Sequence, residues 1–282
     1  FEKNDLFTSL HVTPGKIDLE GMREGDMAGL AAGLDSKPVV LTDSVIELIR
    51  TVEGVELAYP ELSFRAKLYL GEKEREVTVT GIPMELRDHP PFDEITFGTF
   101  FDHDSSRQVL IRWETLKRMD VLVKDPETPL ELSAFEEERK WEIIEADSLI
   151  GSPVKITTAV LDKDRFAFSA LGMLSGQMSD LPVSEHETPL VISGIIKRES
   201  QFSNTGEVRG DLLVPFRTAN EIPRLGFTNI WEILGNREET EGYPSIYVKV
   251  SDVAVMDAVV RELREDMGLN VFAISDQLKE IR

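Results

Sequence analysis

The chain has 282 residues, 41% of them hydrophobic and 29% charged, enough to bury a core in one large or two ordinary domains. Its 52 acidic and 31 basic residues leave a net charge of -21, so phosphate backbones are repelled over most of the surface and nucleic acid is a poor partner. Zero cysteines remove disulfides, thiolate metal sites and thiol nucleophiles together.

No run reaches the roughly 18 apolar residues of a membrane span, and the opening FEKNDLF lacks the basic start and apolar run of a signal peptide. With no initial Met and an abrupt end at Arg282, the chain reads as an excised soluble region. Residues 7–12 alternate as a strand, and residues 14–38 form a weakly patterned connection. Val45, Ile46, Leu48, Ile49 and Val52 fall on one helical stripe, with Thr42, Asp43 or Ser44 as N-cap and Gly54 at the exit. Strands follow at 55–59, 63–70 and 75–82, the last two joined by a turn at Gly71, Glu72 and Lys73 and expected to be half exposed. From Pro83 the texture changes to short strands, best at 108–111, 153–160, 190–197 and 211–214, with short helices at 113–119 and 217–225. That spacing suggests a small β-rich module, barrel-like in kind. A strand at 245–250, a helix with the stripe Val253, Met256, Val259, Val260 and Leu263, and a strand at 270–274 complete the chain.

Residues 250–274 thus repeat, in other letters, the capped helix, glycine exit and short strand of residues 41–59. Two such units at opposite ends predict that both ends of the chain build one layer and carry the middle as an insertion. The fold class expected is α+β: a porter-like α/β domain from 1–87 plus 241–282, and an inserted β-rich domain at 88–240.

Catalytic chemistry is absent from the sequence. Among His11, His89, His103 and His186, only the run Asp102-His103-Asp104 is metal-like, yet consecutive residues of an extended segment point to opposite sides and read as a polar turn. His186 lies between Glu185 and Glu187 and reads as a solvated loop residue. No P-loop, G-x-S-x-G, H-E-x-x-H or G-x-G-x-x-G pattern occurs. The carboxylates around Asp125, Glu127 and Glu136–Glu138 lack calcium-loop order and read as a solvated face. No catalytic, cofactor or metal residue is therefore assigned. Residues 166–181 hold apolar side chains without a clean period, and Phe168, Leu171, Met173, Leu174 and Met178 are the candidate partner-binding residues, with packing under a long loop as the alternative.

The order of segments carries a resemblance. The capped helix followed by Glu53-Gly54-Val55-Glu56-Leu57, paired strands ending at Thr80-Gly81-Ile82, and Phe97-Gly98-Thr99-Phe100-Phe101 come first. Val109-Leu110-Ile111 before a helix, Leu149-Ile150-Gly151-Ser152-Pro153-Val154, Ile192-Ser193-Gly194-Ile195-Ile196 and Leu213-Val214-Pro215-Phe216 follow, ahead of the final helix and strand. From about Val40 onward this succession resembles the extracytoplasmic core domain of MacB-type ABC transporter permeases, related to FtsX- and LolC-like permeases. The resemblance implies a non-enzymatic domain between two transmembrane helices at the periplasmic or extracellular face of the bacterial cytoplasmic membrane. It passes ATP-driven motion to export or to a partner. It implies no cofactor. The implied partners are the flanking helices, a separate ATPase domain or subunit, a second permease copy, and a periplasmic adaptor or lipoprotein carrier. The acidic stretch at 121–147 and the loop at 161–188 are longer than the family pattern, so substrate and partner do not carry over. Two readings compete with it: a stand-alone extracytoplasmic binding or sensor domain for a hydrophobic ligand or lipoprotein, and, behind it, a hydrolase.

Overall fold

A computed structural model describes residues 8–14, 40–89, 92–124, 140–161, 183–197, 210–225 and 242–273. In chain order the first elements are β1 (Ser9–Thr13), α1 (Asp43–Thr51), β2 (Val55–Leu70), β3 (Lys73–Ile82), β4 (Phe97–Gly98), β5 (Gln108–Arg112), α2 (Trp113–Arg118) and β6 (Val121–Lys124). Then come β7 (Glu142–Glu145), α3 (Ala146–Leu149), β8 (Pro153–Leu161), β9 (Val183–Ile196), β10 (Leu212–Pro215), α4 (Phe216–Glu221), β11 (Ser245–Val250), α5 (Val253–Arg261) and β12 (Asn270–Ala273). The chain divides into two compact units, one from Phe1–Leu62 with Arg237–Arg282 and the other from Ser63–Asn236.

The first unit is built from both ends of the chain. Its strands lie in the order β12-β1-β11-β2, each antiparallel to its neighbours. With α1 between β1 and β2, and α5 between β11 and β12, the path is β-α-β-β-α-β, the split βαβ arrangement. Period-2 alternation sends Leu10, Val12, Ile246, Val248 and Val250 to one face, where they form a single core with Ile46 and Ile49 of α1 and Met256, Val259 and Val260 of α5. Both helices therefore cover the same face. Each large-to-small change in that core costs on the order of 2 to 5 kcal/mol. Leu48 and Val253 do not join it, at 57% and 49% exposure, because a helical turn sets them to the side of the stripe that Ile46, Ile49, Met256 and Val259 follow.

The two halves of this unit end their helices alike. Gly54 and Gly268, at φ of 94° and 65°, carry the left-handed backbone that turns the chain from helix into strand. Four residues before each glycine an arginine reaches past the turn. Arg50 donates through Nε and Nη2 to Ala58 O at 3.0 and 2.8 Å, and Arg264 donates to Val271 O at 2.5 Å. Asp252 caps α5 by accepting from the Ala254 N–H at 2.7 Å, whereas Thr42 precedes α1 without a side-chain cap.

In the second unit a ring of strand pairings closes on itself. From Ser63 onward β2 pairs with β3, β3 with β10 in parallel, β10 with β5, β5 with β9 in parallel, β9 with β8, and β8 returns to β2. Closure removes open edges from these six strands, the property that defines a barrel. β9 makes it possible by its length, since residues 183–191 pair with β8 and 191–196 with β5. The two-residue β4 adds to β9 by the pairing of Gly98 with Gly194. A separate parallel pair, β6 and β7, lies within the stretch read from sequence as an acidic insertion, and Lys73 Nζ reaches Met119 O and Asp120 O beside it, each at 3.0 Å.

Several expectations need correction. The change from one unit to the other falls inside β2, between Leu62 and Ser63, earlier than the 87/88 boundary suggested by texture. The hairpin belongs with the β-rich module because β10 lies against β3, and Val77, Val79 and Ile82 are buried there rather than half exposed. β2 runs unbroken through Pro60, which the edge position of β2 in the first unit tolerates, since one side of the strand needs no N–H. β9 starts at Val183 rather than Leu190, so His186 sits on a strand, opposite Thr158, and not in a loop. The helix expected at 217–225 stops at Glu221, because Pro223 cannot continue it.

Candidate functional site

On the face of the first unit's sheet opposite α1 and α5, β1, β11 and β2 bring together a polar and aromatic group. His11 alternates to the side opposite Leu10 and Val12, and its register partner is Tyr247, which in turn faces Tyr59. His11 Nδ1 lies 2.9 Å from Glu61 Oε2. An ionised carboxylate only accepts, so in this contact Nδ1 carries the proton. Ser245, paired with Glu61 across the ladder, donates its hydroxyl to the same oxygen at 3.1 Å. Ser9 Oγ and Tyr247 Oη lie 2.8 Å apart. The Tyr59 and Tyr247 rings lie 4.9 Å apart, and the His11 ring meets the Tyr247 ring edge-on at 5.8 Å. Tyr247 and Tyr59 are buried, while the His11 and Glu61 side chains keep 40% and 26% of their surface.

This geometry ties three strands together. The Ser245 hydroxyl donates to the carboxylate rather than to the imidazole, so Ser245 and His11 are not arranged as a nucleophile and its base. Sequence reading missed the cluster. His11 and Glu61 are separated by 50 positions, and they meet only because β11, which arrives near the end of the chain, sits between their strands.

The other sequence candidates separate. His103 Nδ1 contacts Ser105 Oγ at 3.2 Å, Asp102 accepts from Gln108 Nε2 at 2.8 Å, and Asp104 accepts from the Arg217 N–H at 3.4 Å. Three neighbours thus have three different partners, as alternating side chains require. Beside His186, Glu187 pairs with Lys155 at 2.6 Å. Among the described residues no group of three His, Cys, Asp or Glu could hold a metal ion, and no helix is long and apolar enough to cross a membrane. Phe168, Leu171, Met173, Leu174 and Met178 lie outside the described residues.

One geometric feature concerns the whole first unit. β1 and β12 are neighbours and antiparallel, with Leu10 opposite Ala273 and Thr13 opposite Asn270. The start of the first strand and the end of the last therefore lie side by side at the same end of the sheet.

No family model matches the chain, and no curated protein matches it. Solved structures do. The extracellular domain of the noncanonic ABC-type transporter YknZ from Gram-positive bacteria is 14% identical, over 94% of this chain and 99% of that one, with a TM-score of 0.45. The periplasmic region of MacB from Actinobacillus actinomycetemcomitans is also 14% identical, over 97% of this chain and 92% of that one, with a TM-score of 0.47. At that identity no residue role passes from these domains to this chain. The chain is similar to the extracytoplasmic domains of ABC-type transporters.

Proposed function

We propose that this chain is the extracytoplasmic domain of an ABC transporter permease subunit of the MacB type, a non-enzymatic part that couples ATP-driven transmembrane motion to export or to a periplasmic partner. The observation that carries the reading is the pairing of β1 with β12. A domain held between two membrane helices must receive the chain and return it at one place, and adjacent antiparallel outer strands do that. A relative displacement of the two helices would load the short ladder between Ser9–Thr13 and Asn270–Ala273 first. The segment order of the sequence supports the same reading, as does a first unit made from both chain ends with the β-rich unit inserted. The reading calls for a separate ATPase domain or subunit, a second permease copy, and an adaptor or lipoprotein carrier. Residues 166–181 are the proposed contact segment, and the porter-like character of the first unit belongs to the same proposal.

Membrane sidedness tests it. The chain has no cysteine, so a single Cys placed at Glu72, exposed in the turn between β2 and β3, is a clean reporter in a full-length protein cleared of other cysteines. A membrane-impermeant maleimide should label it on intact cells. Labelling only after lysis would reject the extracytoplasmic assignment.

A further inference from the structure

In the second unit, Arg224 is a half-buried cation that pairs with no carboxylate among the described residues. Its Nη1 donates to Ala219 O at 2.8 Å and to Ile222 O at 3.1 Å, and its guanidinium carbon lies 5.0 Å from the centre of the Phe64 ring. The backbone on either side is pinned, because Thr158 Oγ1 donates to Pro223 O at 2.6 Å and the Leu225 N–H donates to Ala159 O at 2.6 Å. Burial lowers its affinity for the proton. Cations taken out of water are normally paired. Other cations of the same unit do pair: Arg118 with Asp211, Lys155 with Glu187, and Arg217 with Glu221.

Capping the end of α4 accounts for Nη1 only. Among the described residues Nε and Nη2 donate to no group, and neither belongs to the buried side-chain atoms left without a bond, so this edge is not sealed away. The Nε and Nη2 edge is the one that presents two parallel N–H groups to a planar oxyanion. A ring at one side, two carbonyls on the far nitrogen and a pinned backbone fix its orientation in advance. We propose that Arg224 is an anion receptor whose free edge takes the carboxylate of a ligand, with Phe64 holding the guanidinium plane. In a chain of net charge -21, anions are repelled from most of the surface, so capture at one place must rest on directed bonds to a desolvated cation. The proposal does not depend on the permease reading.

The test is an NMR titration of the chain with sodium acetate at ionic strength held constant with chloride, followed at the Arg224 Nε–H and Leu225 amide signals. Inorganic phosphate forms a second arm. Saturable shifts at both signals with acetate, absent from the exposed Arg107 and Arg217, are expected. A linear drift equal to that of those arginines would overturn the proposal. A response to phosphate alone would overturn the choice of a carboxylate. Arg224→Lys keeps the charge and loses the fork, so the acetate response at Leu225 should weaken by about tenfold while the melting temperature holds. An unchanged response in that variant would show a point charge at work and reject the bidentate edge. If the variant does not fold, the titration of the unaltered chain decides.

Discussion

Asp211 is where the second unit should prove most sensitive to loss of a single polar side chain. It precedes β10 and is set between β3 and β5: its N–H donates to Thr78 O at 2.8 Å, and its carbonyl accepts the Arg112 N–H at 3.1 Å. Its carboxylate continues the ladder. Oδ2 accepts the Thr78 N–H at 2.8 Å, and Oδ1 accepts from Arg118 Nη2 at 2.6 Å and Thr115 Oγ1 at 3.2 Å. Replacing Asp211 with Ala leaves the Thr78 N–H without an acceptor, and a bond to a charged group is worth about 1.5 to 3 kcal/mol. The Arg118 pair adds little, about 0 to 1 kcal/mol, because Arg118 is half exposed and screened. Thr115 loses nothing, since Asp211 O lies 3.3 Å from its hydroxyl and remains. The sum is about 1.5 to 4 kcal/mol. Urea unfolding followed by a probe in the second unit should show a lower midpoint with an unchanged slope. Asp211→Asn retains an acceptor for Thr78 and should cost roughly half as much. A loss for the alanine variant within about 0.5 kcal/mol, the range of ordinary surface changes, would refute the ladder argument. So would equal losses for both variants.

Gly98 and Gly151 have the same φ of 80°, but a Cβ at Gly98 would lie 2.2 Å from Ser193 O, whereas nothing lies within 4 Å of one at Gly151. Gly151→Ala should therefore cost only the left-handed penalty of about 1 to 2 kcal/mol, and Gly98→Ala distinctly more, with β4 displaced from β9; equal melting temperatures for the two variants would contradict this. On the barrel exterior, Glu74 at 2.8 Å holds the Lys67 ammonium above the ordinary lysine value of 10.5, as Glu187 does for Lys155, the two ammoniums lying 5.4 and 4.7 Å from the centre of the Tyr69 ring. A raised folded-state value means that the contribution is fully present below the unfolded lysine's value and is lost as pH rises through the folded one. The stability gap between the chain and its Lys67→Met, Lys155→Met variant should hold through pH 9 and close above about 10.5, and a gap constant to pH 11.5 would show that the lysines act by packing alone. For the proposed contact segment, replacing Leu171, Met173, Leu174 and Met178 with Ser should stop transport by the intact permease while changing stability by about 0.5 kcal/mol or less; a large fall in melting temperature would place them in a core instead.

How much of this was legible in the sequence depended on distance along the chain. The helices α1 and α5 were readable because their signals are local: a cap, a stripe and a glycine within about 15 residues. Their common sheet was readable only through the repeat, and even then Leu48 and Val253 were assigned to stripes they leave. β6 and β7 were not found, because Val121–Lys124 and Glu142–Glu145 are short, parallel and separated by a charged segment, and their pairing is a long-range event with no local signature. The extra length of β9 was hidden for another reason. Residues 183–189 are mostly exposed and include three carboxylate or imidazole side chains, a composition that reads as loop until β8 supplies its hydrogen bonds.

The same distinction explains why candidate sites failed in sequence and appeared in structure. Asp102, His103 and Asp104 attract attention as neighbours, yet adjacency in an extended segment sends side chains apart, and each finds its own partner. His11, Glu61 and Ser245 are unremarkable as letters, and the split βαβ order sets them on one face, in adjoining rows of the sheet, because β11 returns between strands made near the start of the chain. Arg224 follows neither pattern. Its carbonyl partners are within five positions, so its capping role was in principle local, but the Phe64 ring comes from β2 at the other end of the barrel's sequence. A cation capped on one side and left open on the other can be recognised only after every donor has been assigned, and sequence assigns none of them.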